Sequence, residues 1–103
     1  MDNSYINENI YNTVRQNIKR YRKAAKMTQQ ELADASGFTH GYIREIESPT
    51  MCSTFSLDAV EKIANGLKLN FKYLFDDPST GNPEEILNKQ KKWHRKLCHF
   101  FIT

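Results

Sequence analysis

Long apolar runs are the first thing this sequence lacks. None approaches the roughly 18 consecutive apolar residues that a helix needs to cross a bilayer. The N-terminal stretch MDNSYINENIYN is polar and has no apolar centre of the kind a secretion signal carries. The expected location is therefore the cytoplasm, with no membrane partner. Cysteine is almost as scarce. Cys52 and Cys98 are the only two, and in a reducing compartment they are expected as thiols rather than as a disulfide. Internal repeats and low-complexity tracts are missing. So are a glycine-rich phosphate loop and any Ser/His/Asp or Cys/His arrangement that would point to nucleophilic catalysis. The sequence does not read as an enzyme, and no cofactor is expected.

What is present fits one small domain. The 103 residues suffice for a single core. The formal net charge of +3 and a pI of about 8.9 are mildly basic, compatible with a polyanionic partner without requiring one. Local clustering is more informative. Arg15, Lys19, Arg20, Arg22, Lys23 and Lys26 follow one another with no acid among them, and Lys89, Lys91, Lys92, Arg95 and Lys96 form a second group. Each group is either a surface for a polyanion or an ordinary solvated helix face.

Apolar spacing predicts short helices. Residues 1–9 form a polar leader. Ile6, Ile10, Val14 and Ile18 recur every fourth residue, and a first helix is expected over 10–25 with Ile10, Val14, Ile18 and Tyr21 inward. Thr28 caps a second helix over 29–36, with Glu31 completing a capping box. Gly37 takes the left-handed turn that ends it. Thr39 caps a third helix over 40–47, which stops at Ser48-Pro49 because the residue before proline is driven out of the helical region. After a loop over 49–55, Ser56 caps a fourth helix over 57–67, with Leu57, Val60, Ile63, Ala64 and Leu67 inward. Asn70 caps a short fifth over 71–75. Met27, Phe38, Phe55 and Leu69 each precede a cap, and Leu32, Ile43, Val60 and Leu74 each lie five residues later. That is the hydrophobic staple at four successive helix starts. Residues 77–82 read as a turn or linker. Asn82 and Pro83 then open a sixth helix over 83–103, with Glu84 and Glu85 favourable at its positive end. Its stripe Ile86, Gln90, Trp93, Leu97 and Phe100, with Phe101 beside it, is too short to stand alone. It must pack on a partner chain or on the domain's own core. The expected fold is all-α: five helices with an additional C-terminal helix.

The stretch from Thr28 to Ser48, TQQELADASGFTHGYIREIES, is thus two short helices joined at a tight turn. Gln29, Leu32, Ala33, Gly37, Ile43, Ile46 and Glu47 stand at the spacing of the phage repressor/Cro-type (XRE-like) helix-turn-helix family, and the chain resembles that family from about Val14 to Phe75. The resemblance implies that the second helix of the pair enters the major groove of double-stranded DNA, commonly in a dimer. It also implies an ion pair between Arg22 and Glu47, and a phosphate contact from Gln29 at the start of the second helix. With Ile43, Ile46 and Glu47 inward, helical spacing turns His40, Gly41, Arg44, Glu45 and Ser48 outward, with Tyr42 at the border. Arg44 suits guanine O6 and N7; His40 suits a base edge or a phosphate; Glu45 suits a cytosine amino group or holds Arg44; Tyr42 suits backbone or a thymine methyl. The expected base-reading set is His40, Gly41, Tyr42, Arg44 and Glu45. The expected phosphate set is Arg15, Asn17, Lys19, Thr28, Gln29, Thr39 and Ser48. Two departures stand out. Gly41 occupies a place where relatives often carry a base-reading side chain, and it costs the helix roughly 1 kcal/mol. The loop over 49–55 has no lysine or arginine.

The resulting expectation is a sequence-specific transcriptional regulator, a repressor acting as a homodimer. One alternative is an autoregulating antitoxin whose tail residues Trp93, Leu97, Phe100 and Phe101 bind a toxin. The other is a helical protein-interaction adaptor without DNA binding. Ile86, Gln90, Trp93, Leu97, Phe100 and Phe101 form the expected dimer or partner surface. No metal site is expected: His94, Cys98 and His99 lack a matching second pair of ligands and sit among Lys92, Arg95 and Lys96.

Overall fold

Three short connectors steer the chain, and each is built the same way. In the computed structural model, which describes residues 3–48 and 54–90 (side chains from residue 10), α1 spans Asn3–Ala24, α2 Gln29–Ser36, α3 His40–Glu47 and α4 Leu57–Gly66. A 3-10 helix follows at Phe71–Phe75, and a last helix, α5, includes residues 83–90. The described residues contain no strand, as the all-α reading requires.

Each connector begins with a left-handed residue: Lys26 (φ 60°) after α1, Gly37 (φ 81°) after α2 and Lys68 (φ 57°) after α4. An apolar residue comes next, and its N–H reaches back five residues to close the helix. Met27 donates to the Arg22 carbonyl at 3.1 Å, Phe38 to Ala33 at 2.9 Å and Leu69 to Ala64 at 2.9 Å. A capping residue completes the unit. Thr28 Oγ1 accepts from the Glu31 N–H at 3.0 Å, Thr39 Oγ1 from Tyr42 at 3.1 Å and Asn70 Oδ1 from Lys72 at 3.1 Å. One apolar side chain therefore ends one helix and staples the start of the next. The staple partners Leu32, Ile43, Val60 and Leu74 are all buried, and Met27, Phe38 and Phe55 pack against them. The Thr28 capping box is complete, since the Glu31 carboxylate accepts from the Thr28 N–H at 2.9 Å.

These turns wrap five elements around one core. α2 packs on α3 and α4, α1 crosses α3 and the 3-10 helix, and α4 lies against the 3-10 helix. Val14, Ile18, Leu32, Ile43, Ile63 and Leu74 are at most 1% exposed. Small Ala33 is buried, and α4 comes close to α2 at Gly66. A Cβ there would sit 3.2 Å from the Ser36 nitrogen and 3.3 Å from the Ala35 carbonyl carbon, so α4 meets the end of α2 backbone to backbone.

The structure corrects several sequence expectations. α1 starts at Asn3, so residues 3–9 are helical and not a leader outside the first helix. Ile10 is 47% exposed and Leu57 is 68% exposed. Each step of four residues rotates a helical stripe by about 40°, so one that fits the core at Ile18 and Val14 has wound off it by Ile10. Leu57, at the first position of α4, projects before the helix reaches the core. The fifth element is 3-10 rather than α, as suits a piece of five residues. Asn82 caps α5 as expected, its Oδ1 accepting from Glu84 N–H at 3.0 Å. The start of the C-terminal stripe packs on its own domain: Leu87 is 3% exposed in the core, Ile86 is half-buried against it, and Gln90 Oε1 accepts from the Asn70 N–H at 3.1 Å. Trp93, Leu97, Phe100 and Phe101 lie outside the described residues, as do Cys52, Cys98, His94, His99 and positions 49–53 of the loop. The turn before α5 is tied by Asp77, whose carboxylate accepts from the Ser79 N–H and hydroxyl; these bonds hold it below the ordinary carboxylate range.

The connectors make a signed stability prediction. Gly37→Ala meets no atom within 4 Å, so its effect is purely one of backbone conformation; it should lower the unfolding free energy by about 1 kcal/mol. Lys68→Gly should raise it by up to about 1 kcal/mol, the relief of a left-handed lysine outweighing the added freedom of the unfolded chain. Urea titration followed by helical circular dichroism measures both.

Candidate nucleic-acid interface

The interface is built outward from one buried ion pair. Arg22 on α1 and Glu47 at the end of α3 meet two-pronged: Nε donates to Oε2 at 2.6 Å and Nη2 to Oε1 at 2.9 Å, with side-chain exposures of 11% and 3%. The remaining fork nitrogen, Nη1, donates to the Met27 carbonyl at 2.8 Å, on the connector into α2. Planar guanidinium matches carboxylate in this geometry, and the third bond draws a third element into the same node. The pair that the resemblance implied is therefore present.

The node continues to the surface. Gln29, first residue of α2, donates from Nε2 to Glu47 Oε1 at 3.3 Å. Its Oε1 lies 3.3 Å from Nε2 of His40, first residue of α3. The expected phosphate residue and an expected base reader are thus linked to each other and to the buried carboxylate.

α3 itself divides as its spacing predicts. Ile43, Ile46 and Glu47 are buried, while His40, Gly41, Arg44 and Glu45 are exposed. Among the described residues Arg44 forms no ion pair, with Glu45 or any other acid, so its guanidinium is not committed to the fold. Tyr42 is half-buried with its ring 4.5 Å from that of Phe38, and the Lys62 ammonium lies 5.9 Å from the Phe38 ring. Burial, and then the Glu45 carboxylate, push the Tyr42 phenol above its ordinary range, so it stays a neutral hydroxyl. Thr28 and Thr39 are exposed at the two helix starts, each already holding a cap.

Two members of the expected phosphate set do not fit that role. Asn17 is 0% exposed, and its amide nitrogen donates to the carbonyls of Leu74 at 2.7 Å and Asp76 at 2.6 Å. It is a buried bracket between α1 and the 3-10 helix. Arg15 is 6% exposed; Nη1 donates to the Ser48 carbonyl at 3.2 Å, and the guanidinium lies 5.9 Å from the Phe55 ring. It spans the two ends of the loop after α3, and Ser48 is half-buried beside it. Arg20 is also tied inward, to Asn17 Oδ1 at 2.9 Å. The three arginines of the basic stretch are therefore structural, while Lys19 and Lys23 on α1 and Lys26 just after it are exposed. Lys19 lies four residues after Arg15 and three before Arg22, so it shares the side of α1 that faces the end of α3.

Nothing in the sequence pattern marks Asn17 or Arg15 as buried. Each sits next to an inward residue of α1, Ile18 and Val14, and polar type alone suggests solvent. Their partners are backbone carbonyls far along the chain, which no local spacing reveals. Among the described residues no group of three or more His, Cys, Asp or Glu side chains is placed to hold a metal, and no helix is long and apolar enough to cross a membrane.

The node carries a prediction. Glu47→Ala should cost about 3–5 kcal/mol, because it strands a buried guanidinium. The double replacement Arg22→Met with Glu47→Leu should recover most of that loss, since the net contribution of a buried pair is small. Urea midpoints of the single and double variants decide it.

Comparison with known proteins agrees with this geometry. Residues 18–74 match the helix-turn-helix family model, covering α2, the turn, α3, α4, the 3-10 helix to Leu74 and the later part of α1. No curated protein and no solved structure gave a match. With more than half of its length matched, the chain belongs to the XRE-type helix-turn-helix family of DNA-binding transcription regulators.

Proposed function

We propose that the protein is a sequence-specific repressor that binds a two-half-site operator as a homodimer. The observation that carries this reading is the contrast within α3. Its inner side chains and both its ends are anchored, while His40, Gly41, Arg44 and Glu45 stand exposed along one side. A helix of eight residues is about 12 Å long, so one copy reaches only a few base pairs. Specific recognition then calls for a second copy on a second half-site, one helical turn away. Blocking a promoter is the simplest outcome of such occupancy.

In this reading Arg44 reads guanine, Glu45 takes a cytosine amino group or steadies Arg44, and Tyr42 touches backbone or a thymine methyl. Gln29 reaches phosphate together with Lys19, Thr28, Thr39 and Ser48. The free N–H groups at the start of α2 add to that grip. Gln29 Nε2 carries two hydrogens and gives one to Glu47, so the other remains for a phosphate oxygen.

Selection from a random duplex pool tests the proposal: a two-fold symmetric motif should be enriched, and the logarithm of affinity should fall linearly with the logarithm of salt concentration. Arg44→Ala should then cost about 1–3 kcal/mol and relax specificity at one base position. A loss uniform over all sequences would instead assign Arg44 to phosphate, and no enrichment even at low salt would sink the reading.

A further inference from the structure

The chain of bonds from Glu47 to His40 fixes more than position. The Glu47 carboxylate, which already accepts from Arg22, offers only acceptor oxygens. The Gln29 amide atom facing it must be the nitrogen; turned over, the amide would set oxygen against oxygen at 3.3 Å. Gln29 Oε1 is thereby aimed at His40 Nε2, 3.3 Å away. A carbonyl oxygen accepts and cannot donate, so the ring nitrogen facing it carries the proton. Neutral imidazole has a single N–H, and Nδ1 is left as a bare acceptor on an exposed side chain at the first position of α3.

We infer that the relay Glu47–Gln29–His40 makes His40 a selective reader of an amino-bearing base, adenine or cytosine, through Nδ1. In the major groove adenine presents its N6 amino group and cytosine its N4 amino group, whereas guanine and thymine present the carbonyl oxygens O6 and O4. A bare acceptor discriminates between those groups; an imidazole free to change tautomer, and so to present either N–H or bare nitrogen, does not. Specificity at this position is then set by Gln29, which reads no base itself and acts as a positioning residue for the His40 proton. The inference rests on the proposed DNA-binding role for α3.

Two measurements test it separately from that role. Nitrogen-15 NMR of the free full-length protein, in mildly alkaline buffer, reports which ring nitrogen of His40 is protonated. The expected result is Nε2–H, replaced by a mixture of tautomers in Gln29→Leu, with His40→Ala assigning the signals. Competition titrations with the selected operator, varied only at the base pair whose discrimination His40→Ala abolishes, should favour the two duplexes with adenine or cytosine on one strand over the two with guanine or thymine there by about tenfold, the equivalent of 1.4 kcal/mol and within the range for a specific base contact. Replacing the major-groove amino group of the favoured pair by hydrogen should abolish that preference. Gln29→Leu should weaken all four duplexes through its lost phosphate contact and, in addition, bring the four towards equal affinity. An Nδ1–H imidazole overturns the inference, as does a preference that survives removal of the major-groove amino group, or discrimination unchanged in Gln29→Leu. All three leave DNA binding intact. A protein that enriches no duplex overturns both readings together.

Discussion

The Arg22–Glu47 pair is the constraint on which the rest of this domain hangs. It lies where α1, the connector into α2 and the end of α3 converge, and its fork is filled by one carboxylate and one carbonyl. An ion pair this dry adds little net stability over well-packed apolar residues of the same size. What it adds is direction. Apolar contacts between α1 and α3 tolerate sliding and rotation, whereas a two-pronged guanidinium–carboxylate contact has one geometry. Fixing Glu47 fixes the roll of α3 about its own axis, and the roll decides which side chains face out. The same carboxylate orients Gln29, so the start of α2 and the start of α3 are set by one buried charge.

Around that node the chain is folded by repetition. Left-handed residue, apolar residue, cap: this three-residue unit turns α1 into α2, α2 into α3 and α4 into the 3-10 helix. Its economy lies in the middle residue. Met27, Phe38 and Leu69 each cover the end of one helix and the start of another, so connectors with almost no length still bury apolar surface. Only one of the three left-handed positions is glycine; the two lysines carry a conformational cost of about 1–2 kcal/mol each that the packing around them sustains. Short rigid turns suit a domain whose working part is the fixed orientation of one short helix.

That pattern also explains what the sequence discloses and what it conceals. Caps and staples are local, so Thr28, Thr39, Ser56 and Asn70, and the apolar pairs that go with them, can be read directly from spacing. Gly37 announces its left-handed turn by residue type; Lys26 and Lys68 do not, and only their place between a helix and an apolar-cap pair could have exposed them. The inward face of α3 follows from Ile43 and Ile46. Arg22 and Glu47 are visible through family resemblance, not through any feature of either residue alone. Asn17 and Arg15 escape for the opposite reason from the one that misplaces Leu57. They are polar side chains buried by backbone partners far away in sequence, while Leu57 is an apolar side chain left exposed because a helix begins before its core contact does. Leu87 is missed because a fourth-residue stripe through Ile86 and Gln90 draws attention one residue away from the side that enters the core.

Gly41 shows how far the separation between fold and surface goes. A glycine in a helix is commonly explained by a left-handed backbone or by a neighbour that leaves no room for a side chain. Neither applies here: Gly41 is the second residue of α3, without a positive φ, and a Cβ built on it meets nothing within 4 Å. Gly66, by contrast, is held small by the backbone of α2. The fold thus gains nothing from the missing side chain at position 41 and bears a helix cost of roughly 1 kcal/mol for it. In the proposed interface the benefit lies outside the domain, where a bare backbone between His40 and Arg44 would let DNA approach α3 more closely than a side chain there allows. In the recognition we propose, the absence of one side chain and the fixed proton of its neighbour act in the same sense, since close approach would bring a short acceptor such as imidazole Nδ1 within reach of a base.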